Sequence, residues 1–423
     1  MSEQTISPEA ARVLADLREL AALTSTADGA QRIAWGPQWR AARSWFAAKV
    51  RELGLAVQAD AAGNHWVTLA GASERSVIVG SHLDSVPDGG WLDGALGVLT
   101  GLEVLRQWRT RQPPLTLHLA DWADEEGRFG RSLLGSAAAA GSLVSDEVRH
   151  LADRTGTRLT AALAENGIDL DRMGDAHAAL LARNARAYLE LHIEQGPVLE
   201  AQGKPAGVVL GTFGVERHLV TFTGQAAHAG STPVPLRRDA FLAAAEFALA
   251  CRQIALRADA VCTVGRVRVE PDISTAVPGL AAVTLDQRAL DATVLAGMLT
   301  EARSAAENAA GANQVAVSWQ PVFRMSPRPF DAALIQLAAE AATAVTVAAP
   351  HLPSGPLHDA TEMAALMPTV MLFTSSMRGL SHCKEEDTPL AHLDAAIRAF
   401  LLLVEKTMAH VAQGSQRVMV KVP

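Results

Sequence analysis

The sequence predicts a two-domain α/β protein: a doubly wound, mixed-sheet catalytic domain interrupted by an inserted βαββαβ domain. Three observations carry this reading. The 423 residues exceed the roughly 250 to 300 at which a single hydrophobic core stops growing. Strand, helix and strand follow one another between Ser76 and Ala120, the order of a βαβ unit. The pattern changes near Gly211 and resumes near Asp331, with a complete split βαβ order in between. The expected boundaries are 1–211 and 330–423 for the outer domain and 212–329 for the insert.

Taken in order, apolar residues at helical spacing predict helices over Ala10–Leu23 and Gln38–Leu53, the second stopped by Gly54. Short apolar or alternating runs predict strands at Leu55–Gln58, His65–Ala70 and Ser76–Val79. GALGVLTGLEVLRQW, from Gly94 to Trp108, is helical, and LTLHLA, Leu115–Ala120, is a strand that runs into the acidic stretch DWADEE. The alanine run at Ala137–Gly141 suits tight helix packing and is assigned no function. YLELHI, Tyr188–Ile193, is a strand leading to His192, Glu194 and Gln195, and Gly196-Pro197 opens the next turn of helix. The insert reads as strand Glu216–Thr223, helix Arg237–Leu256, strands Val261–Val269 and Ala281–Arg288, helix Ala292–Ala310 and strand Gln314–Pro321. Helix Asp331–Thr346, strand Thr369–Phe373 and a helix from Leu393 return to the first domain.

Composition excludes several function classes. A formal net charge of -8 argues against a nucleic-acid partner, which needs a basic face. The opening MSEQTISPEAARVLADL lacks the basic start and apolar core of a secretory signal. No apolar run approaches the ~20 residues of a membrane span, so a cytoplasmic location without membrane contact is expected. Cys251, Cys262 and Cys383 have no CxxC spacing and are read as buried free thiols rather than a disulfide or thiolate-metal framework.

Chemistry concentrates in GSHLDSVPDGGWLDG, Gly80–Gly94, which places His82, Asp84 and Asp93 just past a strand. Ligands of α/β proteins bind beyond the carboxyl ends of strands. Metal-competent groups recur at Asp124, Glu125 and Glu126, at His192, and in GLSH at His382. Imidazole and carboxylate are donors that zinc and neighbouring metals accept, and two ions about 3.5 to 4 Å apart share a bridging carboxylate. His82, Asp93, Glu126, His192 and His382 suffice for such a centre if the fold gathers them. Each also has a plainer reading, as a hydrogen-bonded strand-end histidine or a solvated acidic loop.

The chain resembles the M20-type metal-dependent amidohydrolases of the hydantoinase/carbamoylase branch: N-carbamoyl-L-amino-acid hydrolases, allantoate amidohydrolases and β-ureidopropionases. The resemblance spans nearly the whole chain and rests on DAAGN, GSHLDSVPDGGWLDGALGV, DEEGRFGRSLLGS, LHIEQGPVLE, GQAAHAGSTP, LDQR, HDA at His358–Ala360, and GLSH. It implies that one divalent metal takes His82 and His192, a second takes Glu126 and His382, and Asp93 bridges them. Zinc leads the expectation, with manganese, cobalt or nickel as alternatives. Glu125 is then the general base, and Asp84 orients His82. The insert corresponds to the family's lid and dimerisation domain, implying a homodimer, and His228 stabilises the oxyanion from its own or the neighbouring subunit. Gln195, Thr275, Arg288 and Gly355 join His228 as substrate contacts, with Arg288 the fork for a carboxylate.

The implied reaction is hydrolysis of the carbamoyl C–N bond of a small carboxylate-bearing substrate, foremost an N-carbamoyl-L-amino acid. Allantoate or a β-ureido acid is the near alternative, and an M20-type peptidase or N-acyl-amino-acid deacylase the next. Imidazole at His192, where those peptidases usually carry a carboxylate, favours the carbamoylase branch. A non-catalytic ligand-binding homologue is the remaining reading. Asp272 and Thr275 stand where the family loop often has asparagine, and the SGAGHDA of the family is SGPLHDA here; these departures bear on the substrate, not on the metal ligands.

Overall fold

The computed structural model describes residues 6–414; residues 1–5 and 415–423, the outermost ends of the predicted catalytic segments and the start of the opening stretch, lie outside it. The chain forms two compact units, one running to Gly211 and again from Phe330, the other Thr212–Pro329.

The first unit opens with α1 (Pro8–Thr24), capped by Ser7, whose hydroxyl accepts the N–H of Ala10, with Pro8 inside the first turn. That arrangement satisfies an otherwise orphaned donor and spends the proline where no N–H is needed. Next come α2 (Pro37–Glu52), β1 (Val57–Ala59), β2 (His65–Leu69), β3 (Ser76–His82), α3 (Ala95–Arg109), β4 (Thr116–Trp122), α4 (Leu134–Ala140), β5 (Ala185–Ile193) and β6 (Ala206–Thr212). Every residue of β3 is buried, as expected for a strand covered on both faces. It extends three residues past the predicted end at Val79, because Gly80, Ser81 and His82 keep their register with Ala120, Asp121 and Trp122 of β4. His82 is thus the last residue of a rigid strand, not part of a loop.

In the insert, β7 (Gly214–Thr223), β8 (Ala227–His228), α5 (Ala240–Arg257), β9 (Val261–Glu270), β10 (Ala276–Val277), β11 (Leu280–Ala289), α6 (Ala292–Ala312) and β12 (Ala316–Met325) follow. The sheet order is β9-β11-β7-β12 with every pairing antiparallel. Both helices start on an aspartate, Asp239 and Asp291, each accepting two N–H groups of the first turn. Phe222, Phe247, Val283, Leu285, Met298 and Ala302 pack between helices and sheet. The βαββαβ order agrees with the sequence; the small β8–β10 ladder, inside stretches read as turns, does not appear in it.

The chain then completes the first unit with α7 (Ala332–Val345), β13 (His351–Ser354), α8 (Asp359–Met363), β14 (Thr369–Thr374) and α9 (Leu390–Gln413). Within its sheet the strands run β6-β14-β5-β3-β4-β2-β1. Strands β14, β5, β3 and β4 are mutually parallel; β6, β2 and β1 pair antiparallel, which makes the sheet mixed, as expected. Strand β6 is absent from the sequence reading, since Gly207 and Gly211 interrupt its apolar pattern. The four parallel strands end on one edge, where His82 closes β3, His192 lies one residue from the end of β5, and the chain leaves β4 for Glu125 and β14 for His382.

Helix α3 fixes the height of this edge. At Gly97 a side chain would lie 2.5 Å from the Leu191 carbonyl oxygen and 2.6 Å from Ser81 Cβ, so only glycine lets the helix sit down on β3 and β5. The start of that helix, one turn away, is Gly94, directly after Asp93. Among the described residues no helix is long and apolar enough to cross a membrane.

Candidate active site

The other four predicted metal donors, His82, His192, Glu126 and His382, gather around the fifth, Asp93. Its Oδ1 lies 3.1 Å from His192 Nε2 and 3.8 Å from His82 Nε2, and its Oδ2 lies 3.4 Å from His382 Nε2. Glu126 Oε2 is 3.3 Å from the same His382 nitrogen. Each oxygen of one carboxylate therefore faces a separate donor set: His82 with His192, and His382 with Glu126. The backbone is built for this approach. Gly94 holds φ +63°, and a Cβ there would sit 2.4 Å from the His82 ring. His382 is itself in the left-handed region at φ 58°.

The donor set fits metal ions. His82 Nδ1 is 3.1 Å from the Asp84 carbonyl and His192 Nδ1 is 2.9 Å from the Ile193 carbonyl. A carbonyl only accepts, so in both neutral rings the proton sits on Nδ1 and the Nε2 lone pair is free. Both Nε2 atoms are buried, and in the neutral rings neither makes a hydrogen bond. His192 Nε2 faces the Asp93 carboxylate, which bonds it only when the ring is charged, so a neutral lone pair there is costly unless a cation binds it. Carbonyl support of this kind is what aligns a metal-binding imidazole.

Electrostatics point the same way. Burial, then the neighbouring Asp359, Glu126, Asp84 and Asp93, raise Glu125 well above the ordinary carboxyl range. Burial and Asp93 do the same to Glu126, and Asp84 is pushed up to about 8 by burial and Asp124. Burial lowers His82 to about 3. Burial also opposes a charge on His192, but the Asp93 carboxylate overrides it and lifts that ring to about 9. Crowded, desolvated carboxylates call for cations.

The remaining predicted residues fall into place unevenly. Glu125 Oε2 lies 3.6 Å from His82 Nε2, so the adjacent carboxylates diverge, Glu125 toward His82 and Glu126 toward His382. Asp84 touches His82 through its main-chain carbonyl, not its carboxylate, whose nearer oxygen is 3.7 Å away. That carboxylate instead accepts the N–H groups of Glu125 and Glu126 at 3.3 and 3.2 Å, which aims the acidic pair. Asp124 turns away, accepting from Trp35 Nε1 and the Arg128 N–H. Gln195 Nε2 donates to Asp93 Oδ2 at 2.9 Å and lies 3.3 Å from His382 Nε2. Gly355 follows β13 on the segment that ends at His358, whose ring centroid is 4.3 Å from that of His192.

In the insert, His228 Nδ1 accepts the N–H groups of Gly230 and Ser231 at 3.1 and 3.2 Å. The neutral ring then carries its proton on Nε2, a donor ready for an oxyanion. Thr275 is brought to it: His228 pairs with Ala276, and the Ala229 N–H donates to the Thr275 carbonyl at 2.8 Å. Arg288 is not. It lies eight residues along β11 from Leu280, about 27 Å of strand at ~3.4 Å per residue. Asp286 Oδ1 holds its Nε edge at 2.8 Å. Of the thiols, only Cys251 is fully buried; Cys262 and Cys383 are half-buried, and all three are free. The expectation of three buried thiols is corrected accordingly: Cys262 stands on β9, the edge strand of its sheet, and Cys383 in the turn after His382.

Sequence reasoning missed several groups. Glu190 shares the face of β5 with His192, two residues on, and accepts from Ser81, Tyr188 and the Ala360 N–H; the period of two made it findable. Arg32, fully buried, donates from Nε to the Leu83 carbonyl at 2.8 Å, and both its terminal nitrogens lack hydrogen-bond partners. It interacts electrostatically with Glu386, Asp93, Asp84 and Glu126. Nothing in the local sequence around it signals this.

The sequence matches peptidase family M20/M25/M40 over residues 78–406. The N-carbamoyl-L-amino acid amidohydrolase of Geobacillus stearothermophilus is 36% identical over 397 residues, covering 91% of this chain and 94% of that protein. The allantoate amidohydrolase of Escherichia coli (strain K12) is 31% identical over 389 residues, covering 89% and 93%. A crystal structure of an amidase of the hydantoinase/carbamoylase family from Burkholderia multivorans has a TM-score of 0.85 and 32% identity, covering 95% of this chain and 98% of that one. With the site geometry and these likenesses together, the chain belongs to peptidase family M20/M25/M40 and, within it, to the hydantoinase/carbamoylase amidohydrolases.

Proposed function

We propose that this chain hydrolyses the carbamoyl C–N bond of an N-carbamoyl-L-amino acid, using two divalent metal ions held on either side of Asp93. The observation that carries the reading is the division of donors about that carboxylate, with two buried imidazole nitrogens left unpaired on one side. His82 and His192 would hold one ion, and Glu126 and His382 the other. Zinc, manganese, cobalt and nickel all accept such donors. Bound there, the ions would supply Lewis acidity and lower the pKa of a bound water.

The chain's own groups do the proton work. Glu125, ionised beside the cations, takes a proton from the attacking water as its oxygen bonds to the carbamoyl carbon. It returns that proton to the leaving nitrogen, so the C–N bond breaks to free amino acid and a carbamate that decomposes to carbon dioxide and ammonia. The Nε2–H of His228 stabilises the negative oxygen, and Arg288 takes the substrate carboxylate.

His228 pairs with Ala276, ahead of the start of β11 at Leu280, while Arg288 lies next to the far end of that strand, about 27 Å along it, a reach too long for one small molecule. We therefore take the working enzyme to be a homodimer in which one copy supplies His228 and Thr275 and the other supplies Arg288.

The test is a panel assayed with each metal in turn: N-carbamoyl-L-amino acids, allantoate, a β-ureido acid, an N-acyl-amino acid and a dipeptide, scored by release of amino acid or ammonia. Turnover is expected on the N-carbamoyl-L-amino acids, with kcat/KM at least tenfold above the rest. A preference for allantoate moves the chain to that activity, and preference for the dipeptide or acyl substrate defeats the carbamoylase reading.

Arg288→Ala is expected to raise KM about ten- to a hundredfold, as fits loss of charged hydrogen bonds worth about 1.5 to 3 kcal/mol. Asp286 stays paired with Arg217 at 2.6 Å, so the substitution strands no carboxylate. Equal weakening for the amide analogue of the same substrate would refute the clamp.

A further inference from the structure

Glu386, four residues past His382, is 1% exposed and takes no part in the proposed reaction. Its Oε1 accepts the main-chain N–H of Asp93 at 3.0 Å and of Leu92 at 3.2 Å. Its Oε2 accepts the Ser381 hydroxyl at 2.9 Å. Its own N–H donates to the Cys383 carbonyl at 3.1 Å, closing the turn that carries His382. One buried carboxylate thus ties together two segments 293 residues apart in sequence, each bearing a proposed metal donor.

The direction of the Ser381 hydroxyl gives this tie a chemical consequence. A hydroxyl has one proton. Ser381 Oγ lies 2.9 Å from Glu386 Oε2 but 3.3 Å from Asp93 Oδ2, and it accepts from Gln195 Nε2 at 3.1 Å. Giving its proton to the nearer Glu386, it leaves Asp93 Oδ2 accepting from Gln195 Nε2 at 2.9 Å, with its other lone pair open toward His382. Glutamine at this position would keep an acceptor for the two amides but turn an NH₂ group to Ser381. The hydroxyl would then reverse and donate to Asp93 Oδ2, occupying a lone pair the metal needs.

We propose that Glu386 is a positioning residue of the metal centre: by holding the Asp93 main chain and the Ser381 hydroxyl it sets how Asp93 faces His382. It thereby sets the affinity of the ion on the Glu126–His382 side. The proposal rests on the two-metal reading and concerns an outer contact of a kind whose loss typically weakens metal binding about ten- to a hundredfold.

The experiment strips the full chain with a chelator and titrates it with Mn²⁺ alone, by calorimetry and by the electron paramagnetic resonance signature of paired Mn²⁺. Unaltered protein is expected to take two ions. Glu386→Gln is expected to bind the first as tightly as the unaltered chain and the second about ten- to a hundredfold more weakly. The paired signal should be lost at two equivalents and restored, with turnover, by excess Mn²⁺. Equal affinity for both ions in variant and unaltered chain overturns the proposal. If Glu386→Gln does not fold, Glu386→Asp decides: the shorter carboxylate cannot hold the Asp93 amide and the Ser381 hydroxyl together, so a weakened second ion supports the tie and an unchanged one overturns it. Fewer than two ions in the unaltered chain overturns the two-metal reading itself, and the proposal with it.

Discussion

Glu125→Gln is expected to lower kcat about 10² to 10⁴-fold, the usual worth of a positioned general acid–base, while the protein keeps its metal and its stability. The reasoning is geometric and electrostatic. Glu125 Oε2 stands 3.6 Å from His82 Nε2 and outside the ring of donors that face Asp93, so its charge is not required to close either metal set. Its main-chain N–H is held by Asp84 and its carbonyl by the Leu133 N–H, both indifferent to the side chain. Glutamine has the same shape and cannot take a proton. Burial and neighbouring carboxylates already disfavour a charge at this position, so removing the charge should leave the melting temperature unchanged or raise it. The measurement pairs kcat with metal content and melting temperature; rates near those of the unaltered enzyme would remove Glu125 from the reaction. Glu126→Gln supplies the contrast, because a residue 3.3 Å from His382 Nε2 should lose metal before it loses chemistry.

That contrast shows how much of the site was legible in the sequence. Donor types at strand ends are a local signal: His82 ends β3, His192 lies one residue from the end of β5, and Glu125 and Glu126 follow β4 by a few residues. Parallel pairing of these strands then does the gathering, and parallel order was implied by the βαβ pattern. The separate roles of Glu125 and Glu126 were implied by the resemblance, and adjacency on a loop permits the divergence that the structure shows. The tie from Asp93 to Glu386 spans 293 residues and the one to Ser381 spans 288; neither produces a pattern in any local window. Arg32 lies between two helices in a stretch without periodicity, and its burial beside four acidic groups is purely tertiary. Asp84 was read as the group that orients His82, but sequence names a residue and not which of its oxygens turns inward: here the main-chain carbonyl meets the ring and the carboxylate holds the acidic pair. The separation of His228 from Arg288 followed only once the register of β11 was known.

The protein without its metals is expected to lose stability as pH rises from 6.5 to 9, whereas the loaded protein is not. Asp84 is raised to about 8 and Glu386 to about 7, each chiefly by burial, with Asp124 and Asp93 respectively the leading charges. His192 is lifted to about 9 by Asp93 against the opposing effect of burial. A group whose folded pKa lies above its unfolded value stabilises fully below the unfolded value and loses that contribution as pH climbs through the folded one. For the carboxyls the loss begins near pH 4, and for His192 near 6.5. His65, His82 and His118, lowered to about 2, 3 and 4, mainly by burial, act with the opposite sign. Their effect fades through pH 6.5, where the unfolded imidazole is half deprotonated, and is spent about one pH unit higher. Above that point these shifts agree in sign, and each extra proton on the folded state costs about 1.4 kcal/mol of stability per pH unit. Bound cations take the place of those protons, so the gap between loaded and stripped protein should widen with pH, and metal binding should release protons. Scanning calorimetry from pH 6.5 to 9 with and without chelator measures the first, and titration calorimetry in buffers of different ionisation enthalpy the second. Parallel stability curves for the two forms, with no proton release, would show that the buried carboxylates around Asp93 are not where the metal sits.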